Sequence, residues 1–315
     1  MSLPQLSIVI PLYNEAEVFP FLTERLGLLL DKFPIKTEVV LVDDGSTDTS
    51  PLLMTKLALE DERYQCIFLS RNFGHQHALT AGISEARATE AIMIIDGDLQ
   101  DPPELLEEFY AHYKNGYDVV HGIRKKRKEP FLKRTMYYFF YRLLNKIADT
   151  GIPADSGDFS LISRKAANIL NAMPEESRYI RGMRSWIGFK QAKVEYERSG
   201  RKAGRSKYDM KKLVRLAYNG IFNFSVFPIK FITGIGIFSI LLSLIYLAYN
   251  IYKKFVLHAV PEGFTALRFT IILFSGVQLL SLGVIGEYVL RTFFQVKQRP
   301  PFIISKKIVD KEERV

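Results

Sequence analysis

Residues 91–103, AIMIIDGDLQDPP, combine an apolar run, an acidic loop and a pair of prolines. The apolar run, residues 91–95, has the length and the isoleucine content of a buried strand. Pro102 and Pro103 are typical of a helix start, so a helix is predicted over residues 103–114. A strand that leads through a polar loop into a helix is a building unit of α/β folds.

Similar apolar runs occur four more times, with helix-like segments between most of them. The further predicted strands are residues 6–12, 38–42, 66–69 and 118–120, and the further predicted helices are residues 16–32, 50–59 and 75–88. This alternation predicts an α/β domain with a mostly parallel sheet. Ligands of such open sheets bind where the strands end, and the polar motifs of this chain follow the predicted strands.

The acidic loop after residues 91–95 carries Asp96, Asp98 and Gln100. Carboxylate and amide oxygens in this spacing are able to hold one Mg²⁺ or Mn²⁺ ion, which would also bind nucleotide phosphates. The alternative is a solvated turn in front of a proline-started helix.

Polar residues also follow the first two predicted strands. Pro11, Tyr13, Asn14 and Glu15 end the first, and the sequence Asp43-Asp44-Gly45-Ser46 ends the second. Acidic side chains at these positions accept hydrogen bonds from a base or a ribose in dinucleotide-binding folds. For the second motif, a turn followed by a helix cap is equally consistent with the residues.

Composition excludes several classes of protein. The 315 residues are 48% hydrophobic, which excludes a collagen-like or wholly disordered chain. One cysteine, Cys66, excludes an intramolecular disulfide framework and a cysteine-ligated zinc site.

The net charge of +9 is concentrated in residues 124–134 (seven basic, one acidic) and 198–215 (eight basic, one acidic), so the remainder sums to 9 − 13 = −4. Basic runs of this kind suit nucleic acid, phosphate-bearing ligands or an anionic membrane.

Two long apolar runs near the C-terminus predict a pair of transmembrane helices. Residues 231–252 contain no charge, and residues 269–290 contain only Glu287. Each run exceeds the roughly 18 apolar residues that indicate a span, the alternative being two buried core helices. Ten Lys and Arg residues flank the pair and three lie between, which places both flanks in the cytoplasm. A membrane hairpin beside the basic runs argues against nucleic acid as a partner.

The second basic run includes a loop, residues 201–208, in which Arg201, Ser206 and Lys207 are able to close over a diphosphate. The same cations would also tether the chain to anionic lipid. Asp155 and Asp158 are candidates for a base or for neutralising nearby arginines. His75 and His77, at a predicted helix start, are interpreted as capping or nucleotide-contacting residues.

Taken together, these motifs resemble glycosyltransferase family 2, and within it the polyprenyl-phosphate glycosyltransferases related to dolichyl-phosphate mannose synthase. The C-terminal hairpin is similar to that of the bactoprenol glucosyltransferase branch. The segments that carry the resemblance are residues 11–15, 43–46, 71–74, 96–103, 122–124, 156–159 and 201–208.

The resemblance implies a GT-A type nucleotide-sugar-binding domain and inverting transfer of one sugar, glucose from UDP-glucose, to undecaprenyl phosphate. It implies a Mg²⁺ or Mn²⁺ ion on Asp96, Asp98 and Gln100. It also implies donor and acceptor sites. The donor site is assigned to Pro11, Tyr13, Asn14, Glu15, Asp43, Asp44, Gly74, Asp96, Arg201, Ser206 and Lys207. The acceptor phosphate is assigned to Arg124, Lys133 and Arg134, and the catalytic set to Asp98, Asp158, Asp155 and Arg124.

The predicted organisation is a cytoplasmic catalytic domain (1–208, with an interfacial helix over 131–148), a juxtamembrane helix (209–229), two spans (230–293) and a cytoplasmic tail (294–315) in a bacterial inner membrane. Gly234, Gly236 and Ser239 leave room for packing between copies in a homo-oligomer. The residues Arg181-Gly182-Met183-Arg184-Ser185-Trp186 lack the Gln-x-x-Arg-Trp motif of processive synthases, which favours single transfer. Alternatives are a 4-amino-arabinose or GDP-mannose donor, or a catalytically silent nucleotide-binding scaffold.

Overall fold

The computed structural model describes residues 3–125, 156–176, 178–197, 227–256 and 263–314. The chain divides into two compact units. Of the described residues, the first contains 3–125, 156–176, 178–197 and 299–314, and the second contains 227–256 and 263–298. The predicted interfacial helix and residues 209–226 of the predicted juxtamembrane helix lie outside the described residues.

The first unit is an α/β domain built on one mixed sheet. Its described strands are β1 (Leu6–Leu12), β2 (Thr37–Asp43), β3 (Tyr64–Leu69), β4 (Ala91–Ile94), β5 (Val119–Arg124), β6 (Ser156–Ser163), β7 (Gln191–Tyr196), β8 (Ile304–Val309) and β9 (Glu312–Arg314). Its described helices are α1 (Phe19–Lys32), α2 (Ser50–Glu60), α3 (His75–Glu85), α4 (Leu106–Lys114, after a 3-10 turn at Pro103–Leu105), α5 (Arg164–Ala172) and α6 (Ile180–Trp186). The predicted α/β class is confirmed.

Among the described residues the strand order is β7-β5-β6-β4-β1-β2-β3-β8-β9. The central strands β4, β1, β2 and β3 run parallel, and so do β5 and β7. Strand β6 is antiparallel to both β4 and β5. Every residue of β1 and β2 is buried, which explains why these strands are almost uninterrupted apolar runs rather than alternating ones.

Strands β8 and β9 follow the second apolar helix in sequence and extend the sheet of the first unit. Strand β8 pairs antiparallel with β3, with Cys66 opposite Ile308. Lys307 contacts Glu85 and Asp310 contacts Arg87 at 3.0 and 2.9 Å. The sequence predicted only a cytoplasmic tail here, because a six-residue strand with two lysines carries little apolar signal.

The second unit contains two long apolar helices, α7 (Phe227–Phe255) and α8 (Phe264–Lys297). The most apolar 18-residue windows within Phe227–Phe255 and Thr270–Lys297 have mean hydropathy values of 2.3 and 1.6, and none of either window is buried. The alternative of two core helices does not fit, because core helices bury their apolar side chains. The helices fit a membrane-associated protein.

Candidate active site

The candidate site lies where the central parallel strands end. Leu12 at the end of β1 is paired with Asp43 at the end of β2, and Ile94 ends β4 beside β1. The loops after these three strands therefore meet at one edge of the sheet. They carry three of the motifs found in the sequence: residues 13–15, 43–48 and 96–101.

The Asp96-Gly97-Asp98 loop is shaped by contact with β1. A Cβ atom on Gly97 would lie 2.4 Å from Leu12 Cδ2 and 3.3 Å from the carbonyl oxygen of Pro11, so any other residue between the two aspartates would require the buried Leu12 side chain to move. Leu99 is buried and adopts a φ of +57°, which is strained for a leucine. Asp98 Oδ1 accepts a hydrogen bond from the Gln100 backbone at 3.1 Å. The packing of Gly97 and Leu99 therefore fixes the backbone positions of Asp96 and Asp98.

Asp96 belongs to a cluster with His75 and Asp158. The Nε2 atom of His75 lies 3.6 Å from Asp96 Oδ1 and 3.3 Å from Asp158 Oδ2. One ligand atom from each residue lies within 4.8 Å of the others. Two carboxylates and an imidazole at this spacing are able to hold a divalent cation. This group does not include Asp98 in the described part of the chain, so the structure joins Asp96 to partners that the sequence analysis did not pair with it.

Asp158 lies at the buried base of this cluster. Its side chain is 3% exposed and pairs with Arg181 through two hydrogen bonds of 2.8 and 2.9 Å. Burial acts to raise the pKa of Asp158, but Arg181 and His75 hold that pKa well below its usual range. Burial likewise acts to lower the pKa of His75, and the carboxylates of Asp158 and Asp96 raise it overall. Asp158 is therefore a permanent carboxylate at neutral pH.

Helix α6 supplies the cations that hold β6. Arg184 is fully buried and donates to the backbone carbonyls of Gly157 and Asp158 at 3.0 and 3.1 Å, and to Ser160 Oγ. Burial lowers the pKa of Arg184 to about 10. In the sequence, Arg181 and Arg184 are notable only as a mismatch to the motif of processive synthases. Their site role was not visible because Asp158 precedes them by more than twenty residues.

The capping interpretation of His75 is wrong. Gly74 occupies the N-cap of α3 with a φ of +98°, and no side chain caps this helix. His75 instead turns toward the carboxylates, and its side chain stays 45% exposed. One sequence feature could have indicated this role for His75. It directly follows a glycine and begins the helix after a parallel strand, and such positions face the end of the sheet where ligands bind.

Asp43 and Asp44 are buried and bond to backbone groups. The Asp43 carboxylate accepts from the Ser46 backbone at 3.2 Å, and Asp44 accepts from the backbones of Phe73 and Gly74 at 2.8 and 3.0 Å. Burial raises the pKa of both carboxyls. The Asp43 side chain thus bonds to the backbone three residues later, but no side chain caps α2, so the helix-cap part of the alternative is wrong. Asp44 holds the loop before α3.

The loop after β1 is tied to the loop after β2. Asn14 has a φ of +53°, its Oδ1 accepts from the Thr47 backbone at 2.8 Å, and its own backbone donates to Ser46 Oγ at 2.9 Å. The backbone of Glu15 donates to Ser50 Oγ at 3.0 Å. Tyr13 is 38% exposed at this edge, whereas Pro11 lies inside β1 opposite Val42.

Arg124 ends strand β5, and the tip of its guanidinium lies beside Gly157. Six of the predicted site residues lie outside the described part of the chain: Lys133, Arg134, Asp155, Arg201, Ser206 and Lys207. Their assignments remain predictions.

Known proteins are similar to this chain both over the α/β domain and over nearly its full length. Residues 7–170 match the family model described as Glycosyl transferase family 2. The chain is 42% identical over 303 residues to the uncharacterized glycosyltransferase YkcC of Bacillus subtilis, covering 96% of this chain and 94% of that protein. It is 36% identical over 303 residues to the bactoprenol glucosyl transferase of Shigella phage SfII, covering 96% and 98%. It is 35% identical over 303 residues to the prophage bactoprenol glucosyl transferase homolog of Escherichia coli, covering 96% and 99%.

Proposed function

The chain belongs to glycosyltransferase family 2, and from that premise we propose that it transfers one glucose from UDP-glucose to a polyprenyl phosphate such as undecaprenyl phosphate, with inversion at the anomeric carbon. The observation that carries the proposal is the similarity to bactoprenol glucosyl transferases over 96% of the chain, which includes both apolar helices. Family membership, together with the observed sheet, confirms the GT-A type of α/β fold and the enzyme class that the resemblance implied.

The residues at the sheet edge fit a divalent cation. Carboxylate oxygens of Asp96 and Asp158, with the imidazole of His75, form a ligand set that suits Mg²⁺ or Mn²⁺. Asp98 and Gln100, on the same loop as Asp96, are the further ligands that we propose. When bound, the cation would neutralise the diphosphate of the donor and stabilise it as a leaving group.

The acceptor needs little help from a base. A phosphomonoester carries about −1.5 to −2 charges near pH 7, so its oxygen is already nucleophilic. Asp158 is a poor base, because its carboxylate is paired with Arg181 and its pKa is held well below the usual range. We therefore propose that Asp158, besides the oxygen it offers to the cation, holds His75 and Arg181 in place and balances charge.

The remaining residues divide between the two substrates. We assign Tyr13, Glu15 and Asp44 to the nucleoside of the donor, and Arg201, Ser206 and Lys207 to its diphosphate. Arg124, with Lys133 and Arg134, is assigned to the phosphate of the lipid. Cations are needed on both sides because the donor and the acceptor are anions that repel each other.

The two apolar helices support a membrane location for this reaction. We propose that α7 and α8 cross the bacterial inner membrane as a hairpin, with the catalytic domain on the cytoplasmic side as the distribution of Lys and Arg indicates. This orientation gives the domain access to soluble nucleotide sugars and to a lipid phosphate in the inner leaflet.

The test is a donor screen with the full chain in detergent. Radiolabelled UDP-glucose, GDP-mannose and a UDP-linked 4-amino-arabinose are each incubated with undecaprenyl phosphate, in Mg²⁺, Mn²⁺ or EDTA. We expect a lipid-linked glucose from UDP-glucose only, which disappears in EDTA and returns when metal is restored. Transfer from another donor would reject UDP-glucose, and no lipid-linked sugar from any donor would reject the function in favour of a silent scaffold.

A further inference from the structure

The hydroxyl group of Tyr196 links two residues at the edge of the candidate site. It lies 2.5 Å from Asp101 Oδ1 and 3.3 Å from Arg124 Nε. Tyr196 ends β7 and is 5% exposed, and Asp101, in the loop after β4, is 1% exposed. The proposed assignments use Arg124 but neither of these two residues.

The direction of both hydrogen bonds is fixed by chemistry. A guanidinium only donates, so the Tyr196 oxygen accepts from Arg124 Nε. The single phenolic proton is then donated to the carboxylate of Asp101. Burial and the charge of Asp101 raise the pKa of Tyr196, so the phenol keeps this proton.

The tyrosine ring is held by its neighbours. It packs edge-on against Phe159, with ring centroids 5.0 Å apart and an interplanar angle of 71°. A Cβ atom on Gly122 would lie 2.4 Å from Phe159 Cδ1 and 3.1 Å from Tyr196 Cε1, so the absence of a side chain there makes room for both rings. The oxygen that receives Arg124 Nε is therefore fixed in position.

The other end of Arg124 lies at Gly157, the residue that precedes Asp158 of the cluster. A Cβ atom on Gly157 would lie 3.1 Å from Arg124 Nη2, so the tip of the guanidinium lies directly against Gly157. The next residue, Asp158, contacts His75 and Arg181. Arg124 is thus held at Nε by Tyr196, while its Nη2 lies against Gly157, the residue before Asp158.

We infer that Tyr196 and Asp101 form a positioning pair that holds the plane of the Arg124 guanidinium for recognition of the acceptor phosphate. The inference rests on the proposed function, in which Arg124 binds that phosphate. Two-point binding of a phosphate by arginine requires the guanidinium plane to be fixed.

The neutral phenol between the two charges has a clear purpose in this arrangement. A carboxylate bonded directly to Arg124 would fix its plane but would also cancel the charge that attracts the phosphate. With Tyr196 between them, Asp101 polarises the hydroxyl group that accepts from Arg124. The negative charge of Asp101 is then separated from Arg124, and from a phosphate bound to Arg124, by the tyrosine hydroxyl group.

The test is Tyr196→Phe, which removes one oxygen and keeps the ring packed on Phe159. We expect the KM for undecaprenyl phosphate to rise about tenfold, as loss of a hydrogen bond to a charged group would cause. The KM for UDP-glucose should stay within experimental error of the parent value. The melting temperature should fall, because the buried carboxylate of Asp101 loses its donor, so both KM values are measured well below the thermal transition. The matched control is Tyr110→Phe, which removes another hydroxyl–carboxylate hydrogen bond, the 2.9 Å bond to Glu90, and should leave both KM values unchanged.

A second background separates positioning from packing. An Arg124→Lys chain has no guanidinium plane for Tyr196 to orient. In this background, the additional Tyr196→Phe change should therefore alter the KM for the lipid less than twofold. An unchanged lipid KM in Tyr196→Phe alone, or an equal tenfold rise in both backgrounds, would overturn the inference. If the parent chain transfers no sugar to the lipid, the proposed function fails instead, so the two failures are distinguishable.

Discussion

The central parallel strands begin at one end of the sheet, here called the amino edge, and finish at the opposite end, the carboxyl edge. Each of these edges holds a buried carboxylate paired with arginine, and the two sites are built differently. At the amino edge, Glu38 on β2 is 3% exposed and accepts from Ser7 Oγ at 2.6 Å, from Gln65 Nε2, and from the Arg87 backbone and Nε at 2.6 and 3.0 Å. Each carboxylate oxygen of Glu38 thus has two donors from the protein. Arg87 in turn contacts Asp310 beside β8, so this edge fastens the C-terminal strands to the sheet.

At the carboxyl edge, Asp158 is equally buried but its neighbours are not. His75 is 45% exposed and Asp96 is 23% exposed, and both face the same buried acid. Oxygen and nitrogen atoms that are able to hold a cation therefore meet at a surface open to a ligand. The comparison shows that burial and an arginine partner do not by themselves mark a functional acid. The distinguishing feature is the kind of exposed neighbour: His75 and Asp96, in the open cluster, are able to bind a cation, whereas the exposed neighbour of Glu38, in the closed cluster, is the cation Arg87.

The sharpest way to test this contrast is to remove one charge from the open cluster. Asp96→Asn should reduce formation of lipid-linked glucose by at least about 100-fold, because the variant loses a negative ligand at the place where charge must be stabilised. Its circular dichroism spectrum and melting temperature should match those of the parent. A variant that keeps more than a tenth of the parent turnover would show that Asp96 is not part of the catalytic machinery.

The same chemical change at the closed cluster should have the opposite result. In Glu38→Gln, an amide NH₂ group replaces one acceptor oxygen and meets donors from Arg87, Gln65 or Ser7. The free energy of unfolding should fall by about 2 kcal/mol, since buried donors lose their partner. Turnover per folded molecule should be unchanged at a temperature well below the transition. Thermal unfolding of the two purified chains measures the first effect, and a loss of turnover without a loss of stability would contradict the structural role.

A smaller effect is expected from the titration of His75. Its pKa is raised in the folded chain, so protonated His75 stabilises the fold below the ordinary pKa of about 6.5, and this stability is lost as the pH rises through the folded value. The pKa of Asp158 is lowered, so its contribution is present above about 3.8 and is lost only when the pH falls toward the folded value.

The difference in melting temperature between the parent and His75→Gln, measured in EDTA, should therefore be largest between about pH 4 and pH 6.5 and shrink above that. Because His75 is half exposed, we expect a difference of well under 1 kcal/mol. A difference that grows from pH 6.5 to pH 9 would contradict the assigned ion pair.

Much of the fold was predictable because its signals are local. The apolar runs at residues 6–12, 38–42 and 91–95 correspond to strands β1, β2 and β4, and Pro102 and Pro103 do precede a helical segment. The acidic loop was placed correctly at the end of β4 because a strand and its following loop are adjacent in sequence. Strand β8 was missed, because its place beside β3 depends on pairing across more than 230 residues.

The membership of the site was less predictable than its location. The family resemblance favoured Asp98 and Gln100 as the direct metal ligands, whereas the described cluster joins Asp96 to His75 and Asp158. Gly97 separates Asp96 from Asp98 for a reason that no local rule gives, namely the closeness of Leu12 on the neighbouring strand. Arg181 and Tyr196 could not be assigned, since their partners come from other strands and loops.

The sequence by itself determined the α/β class, the two apolar helices, the position of the acidic loop and the family, because each depends on residue patterns within one segment or on motifs in a fixed order. Folding in three dimensions established which buried acid lies beside exposed ligand atoms, that His75 faces carboxylates, and that the chain after α8 returns to the sheet. The physical reason is that burial, hydrogen-bond saturation and charge pairing are properties of groups brought together from distant segments, and they exist only after the strands have been placed side by side.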